Sequence, residues 1–211
     1  MSHQSTQELL LLHAVRLLGF ADSATVGSRT GARHAEVLRE LRAAEHAGWV
    51  QNIAFADLDG WSLTDSGKAE NERQLASERM AADPEGVIAA VYRDFLPLNA
   101  RLLRAVTDWQ ITPTDMGRFT PNDHSDRASD ERILDELTEL GRELAPLNER
   151  LVTVLPRFDG YAARYEAALH KARIGQYDWV DKTEVDSCHL VWFQLHEDLI
   201  ATLGIDRSDE T

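Results

Sequence analysis

The chain has 211 residues, 43% of them apolar, one cysteine and a formal net charge of −14 at pH 7. That apolar content excludes an unfolded polyelectrolyte, and a lone cysteine excludes an internal disulfide and fits a reducing cytoplasm. No apolar run approaches the ~18 residues that cross a bilayer, so no membrane partner is expected, and Met1-Ser2-His3-Gln4 does not open a basic-then-apolar leader.

The charge is uneven. Through residue 80 there are 8 Lys+Arg against 11 Asp+Glu; beyond it there are 14 against 25. A polyanion is repelled by the second part, so any nucleic-acid contact has to be local and has to come from the first.

In chain order, Leu9, Leu12, Val15 and Leu18 recur at three-residue steps, predicting a helix over 6–18 that stops at Gly19. Asp22 or Ser23 caps a short helix to Thr30, and Gly31 turns the chain. A third helix is predicted over 33–47, with Val37, Leu41 and Ala44 inward and Ala35, Arg39, Arg42 and His46 outward. Gly48 ends it. The period then changes: 49–55 and 61–64 read as strands around the hairpin signal Asp59-Gly60. Thr64 or Asp65 caps a long polar helix into the 80s. After residue 84 the reading is all-helical, with helices over 87–106, 131–155, 161–172 and 185–203 and a loop over 110–128.

Helix, helix, turn, helix, hairpin, helix is the order of a winged helix-turn-helix. The residues Val26-Gly27-Ser28-Arg29-Thr30-Gly31, the frame Val37, Leu41 and Gly48-Trp49-Val50, and Gly60-Trp61-Ser62-Leu63-Thr64-Asp65-Ser66-Gly67-Lys68 resemble bacterial winged-helix regulators of the MarR and PadR kind over about residues 6–80. The stretches 95–110 and 189–204, with Trp179, resemble a helical module of actinobacterial proteins associated with phosphoenolpyruvate-utilising enzymes. The fold expected is therefore mainly α: a winged helix-turn-helix with a two-stranded wing at 1–80, then a bundle of about four helices at 84–205. The first resemblance implies a cytoplasmic transcriptional regulator that binds duplex DNA as a homodimer, with the bundle pairing the chains, sensing a small-molecule effector, or both.

The residues expected on DNA are Arg33, His34, Arg39 and Arg42 of the third helix, with Arg29 on phosphates. Glu36, Glu40 and Glu45 share that helix, and Arg33 stands where such helices commonly begin with Ser. The wing tip, 56–60, holds Asp57 and Asp59 and no base, which repels phosphate. A non-DNA-binding accessory module beside a metabolic enzyme is the alternative.

In the second half, Leu96-Pro97-Leu98-Asn99-Ala100-Arg101-Leu102 echoes Ala145-Pro146-Leu147-Asn148-Glu149-Arg150-Leu151, 49 residues on. Each proline is expected to kink or restart its helix. Two similar packed helices explain the echo; the sharper reading gathers Asn99, Arg101, Asn148 and Arg150 in one polar pocket. Asn122, Asp123 and His124 form a turn cluster that could also meet an ion or anion, and Trp109, Trp192 and His196 add an aromatic set for an effector pocket. His189 and His196 lie about 10 Å apart on one helix, too far to share an ion, so a metal-dependent hydrolase would need His124 as well. No P-loop, dinucleotide glycine pattern, nucleophile elbow or paired metal motif is present, so no catalytic residue, metal or cofactor is expected. Cys188 beside Asp186 is not an activated thiol.

Overall fold

A computed structural model describes residues 3–55, 58–113 and 118–206. The chain is mainly helical, with nine α-helices and two short antiparallel strand pairs among the described residues. No described helix is long and apolar enough to cross a membrane. Contacts divide it into two units. Unit 1 holds Met1–Glu85, Leu155–Arg157 and the segment from Glu197; unit 2 holds Gly86–Val154 and Phe158–His196.

Unit 1 begins with α1 (Gln7–Leu18), α2 (Ser23–Thr30) and α3 (His34–His46). Thr6 and Asp22 cap the first two by accepting from the backbone N–H three residues on, at 3.2 and 2.7 Å. Gly31 supplies the left-handed turn between α2 and α3. Strands β1 (Val50–Phe55) and β2 (Leu58–Leu63) pair antiparallel, Val50 opposite Leu63 and Phe55 opposite Leu58. Ala21 adds one bridge to Trp61, which anchors the hairpin to the α1–α2 connection. Leu12, Val15, Val26, Val37, Leu41, Val50 and Trp61 close a single core.

Helix α4 (Asp65–Ala82) starts where Thr64 accepts from Gly67 N–H at 3.0 Å while its hydroxyl donates to Gly48 O at 2.6 Å. Ser66 donates to the same carbonyl at 2.7 Å. These bonds draw α4 onto the backbone at Gly48 and Trp49 so closely that only glycine fits at 67.

A buried ionic network lies within unit 1. Arg157 donates from Nε to Glu78 at 2.8 Å, from Nη2 to Thr202 at 2.7 Å, and from Nη1 to Asp198. His13 lies between Asp198, 2.9 Å from its Nε2, and Asn71. Arg157 and the last turns of the C-terminal helix are thereby tied to α1 and α4.

Unit 2 contains α5 (Val87–Gln110), β3 (Ile111–Pro113), β4 (Phe119–Pro121), α6 (Arg127–Val154), α7 (Tyr161–Arg173), the one-turn α8 (Asp178–Asp181) and the first half of α9 (Cys188–Leu203). Neither proline restarts its helix: α5 runs through Pro97 and α6 through Pro146. Phe95, Leu98 and Leu102 stay buried in phase across the first, and Leu144, Leu147 and Leu151 across the second. That shared burial offsets the roughly 3 kcal/mol that an interior proline costs. The loop expected over 110–128 is also corrected. It carries the β3–β4 pair, Ile111 opposite Pro121.

Asn148 has a structural task. Its amide donates to Phe158 O at 2.7 Å and accepts from Ala162 N–H at 3.0 Å, holding the start of α7 against α6. An Asn148→Ala variant leaves both backbone groups without these partners and is expected to lose about 2–3 kcal/mol in urea unfolding.

Candidate nucleic-acid interface

The surface of interest is α3. Its three inward residues, Val37, Leu41 and Ala44, are all buried, and His34, Ala35, Arg39, Arg42, Ala43 and His46 are exposed. The 3.6-residue period alone produces this division. Gly27 holds α2 close beneath it: a Cβ there would meet Ala32 O and Val37 at 3.4–3.5 Å. Arg33 is the N-cap and makes no side-chain cap bond.

The carboxylates of α3 act locally. Glu36 pairs with Arg33, which lowers the Glu36 pKa through that hydrogen bond, and Glu40 takes Arg39 at 2.9 Å. Glu45 instead accepts from Asn52 N–H of the hairpin at 3.4 Å. Arg42 is exposed and meets no carboxylate among the described residues. Arg29 is half-buried at the end of α2. Exposed pairs within one helix contribute about 0.2–1 kcal/mol each, so they give way readily to a stronger anion.

The hairpin differs from a basic wing. Asp59 is held by Asn52, whose amide donates to it at 2.9 Å and to Gly60 O at 3.2 Å. Asp57, the other acidic residue of the expected tip, lies outside the described residues. Ile53 and Phe55 are exposed, Phe55 at 77%. The Phe20 ring packs where a Cβ on Gly60 would sit.

In unit 2 the expected ligand residues find separate partners. Asn99 accepts from Trp192 Nε1 at 3.1 Å. Arg101 spans Glu136 and Glu143, and Arg150 pairs with Asp94 at 2.7 Å. His196 lies against Tyr92 and Phe95. His124 takes a left-handed φ of 57° and packs its ring on Trp109 and Tyr177, with Nδ1 3.0 Å from Asp130. Asn122 donates to Trp109 O at 3.0 Å, and Asp123 accepts from Ser125 N–H at 3.0 Å. These bonds lock the segment after β4 onto α5. A surface cavity of about 400 Å³ lies elsewhere, beside Gly141 and Ala145 of α6 and Ala162 and Tyr165 of α7. None of the expected ligand residues lines it.

No family model, curated protein or solved structure matches the chain.

No group of three or more His, Cys, Asp or Glu is placed to hold a metal among the described residues. His124 and His196 have the different aromatic surroundings just given, and burial lowers the His189 pKa. Cys188 is buried, and burial pushes its thiol up to about 12. Asp186, its neighbour in sequence, is instead paired with Arg164. The partners that the sequence did not suggest are Asp130 and Tyr177 for His124, and Arg157 for Asp198. The Tyr177 and Arg157 pairs join distant segments, and the six-residue step from His124 to Asp130 matches no helix or strand period.

Proposed function

We propose that unit 1 is a winged helix-turn-helix of the bacterial MarR and PadR kind that binds duplex DNA, with α3 in the major groove, and that the chain acts as a dimeric transcriptional regulator. The observation behind this reading is the division of α3. One face is sealed into the core, and the other presents His34, Arg39 and Arg42 to solvent beside the cationic start at Arg33. A helix supported from behind in this way can enter the groove without unfolding its own domain. The isolated bridge from Ala21 to Trp61 ties the hairpin to the connection between α1 and α2 behind this helix. Guanidinium groups now paired with Glu36 and Glu40 would exchange these weak surface pairs for phosphates or guanine edges. Unit 2 supplies the contact between two chains, which two half-sites require.

Fluorescence anisotropy with a random-sequence duplex at low salt tests the reading. The intact protein is expected to bind. The Arg39→Glu/Arg42→Glu variant, altered only at exposed positions, is expected to bind at least about tenfold more weakly. Equal binding by both proteins would remove α3 from the interface.

A second reading rests on the hairpin. Its exposed Ile53 and Phe55, with Asp59 and no base among its described residues, suit a protein partner better than phosphate. In that case the chain is an accessory module beside another protein. A Phe55→Ser variant that retains full DNA affinity is expected from the first reading.

A further inference from the structure

We propose that the exposed face of α5 pairs with the same face of a second copy of this chain, antiparallel and about a two-fold axis at Ala100. The proposal gives a location to the dimer contact assigned above to unit 2 and rests on that assignment.

The inward face of α5 is fully used by Ile88, Val91, Phe95, Leu102 and Val106. Its outward face should then be polar, yet Leu96, Ala100, Leu103 and Thr107 form a stripe along it. Leu96 is 38% and Leu103 49% exposed, and Ala100 and Thr107 are exposed as well. The spacing of four, three and four residues keeps the stripe straight along the helix. Phe193, 42% exposed, sits one turn before His196 on α9, whose ring lies over Phe95 of α5.

The charges identify the occupant. Arg93, Arg104 and Asp108 are exposed and have no ion-pair partner among the described residues, whereas Asp94 and Arg101 are paired with α6. At 100° per residue, Arg93, Arg104 and Asp108 all fall on one side of the stripe. A two-fold axis across two antiparallel helices brings each flank against its own copy, so same-side residues meet. Arg93 is seven residues before Ala100 and Asp108 eight after it. Arg93 of one chain therefore stands level with Asp108 of the other to within about 1.5 Å along the axis. The symmetry makes this pair twice. Arg104 comes opposite Leu96 of the other chain and can lay its aliphatic stem over it. The small side chain of Ala100 at the axis lets the helices approach closely. An unrelated partner would have no reason to match this self-complementary order.

Sedimentation equilibrium and cross-linking of the full chain test the proposal. Ala100→Cys places a thiol at the axis, and the native Cys188 is buried. Under copper-phenanthroline oxidation it is expected to form a covalent dimer far faster than Glu149→Cys, an exposed control on α6. Asp108→Arg is expected to weaken the dimer about tenfold, and Arg93→Asp/Asp108→Arg to restore it. A monomer at every concentration, cross-linking no faster than the control, or a double variant as weak as the single one would each overturn this pairing. DNA affinity for a random duplex is read in the same samples. A failed α5 contact with intact DNA binding sinks only the pairing, and an intact dimer that ignores DNA sinks only the role of α3.

Discussion

Replacing Arg157 by alanine is expected to destabilise the protein by about 3–5 kcal/mol, read as a lower urea midpoint by tryptophan fluorescence. The side chain is almost wholly buried, between two carboxylates that are equally buried, Glu78 and Asp198. Removing the guanidinium leaves both carboxylates out of water without their main counter-charge. A loss of this size is a large share of the 5–15 kcal/mol that ordinarily holds a domain folded. The same network makes stability depend on acid. Burial works against the charged form of Asp198, but Arg157 and His13 outweigh it and hold its pKa well below the usual carboxylate value. A carboxyl whose pKa is lowered by folding stabilises above its unfolded value near 3.9, and that contribution fades as pH falls toward the folded value. The gap in stability between the wild type and Asp198→Asn is therefore expected to be full at pH 6 and to narrow below about pH 4. A constant gap across that range would show that the carboxylate charge is not what the network uses.

The second large effect is expected from Gly67→Ala. A Cβ at this position would lie 1.7 Å from the carbonyl oxygen of Trp49 and 2.6 Å from its carbon. Both are backbone atoms, the oxygen accepting from the Thr64 N–H at 3.0 Å and its hydroxyl at 3.2 Å, so no side chain can swing aside. The start of α4 must shift or the hairpin must separate from it. Overpacking of this kind costs about 1–3 kcal/mol where side chains can adjust, and more is expected here. Thermal unfolding measures the loss, and a melting temperature within a degree of wild type would contradict the close approach. Ala at Gly141 is the milder comparison, since the nearest atom is a Tyr165 ring carbon at 3.0 Å.

These two sites also show what a sequence can and cannot disclose. The caps at Asp22 and Thr64, the turn at Gly31 and the inward set of α3 follow from short-range rules, because each rests on steps of four residues or fewer. The hairpin was legible but its turn was not: Asp59 and Gly60, expected between the strands, lie within β2 opposite Ala54 and Ile53. The Arg157 network joins residues 41 and 79 positions apart, and nothing local distinguishes Arg157 from an exposed arginine. Short-range patterns therefore do not mark Arg157 and Asp198 as partners. The β3–β4 pair was missed because Thr, Pro and Asn read as loop even when two three-residue strands fit among them. At the prolines of α5 and α6 the local cost was legible, but the apolar burial that lets each helix run on without a restart was not. At the candidate interface, the outward arginines of α3 were legible from its period. Their engagement with Glu36 and Glu40 depends on rotamers that spacing permits but does not fix. In unit 2 the residues grouped by chemistry each engage packing or ion-pair partners that local spacing does not mark.

The role assigned to α3 is measured most directly by the salt dependence of binding to a random-sequence duplex. Anisotropy titrations of the full chain at 50, 100 and 200 mM salt are expected to show weak binding that falls steeply, with log K linear in log salt and a slope of roughly −0.9 per phosphate contacted. The Arg39→Glu/Arg42→Glu variant is expected to flatten that slope by about two contacts. Absence of binding at 50 mM salt, or binding whose strength ignores salt, would contradict the account and leave the exposed hairpin as the working surface of unit 1.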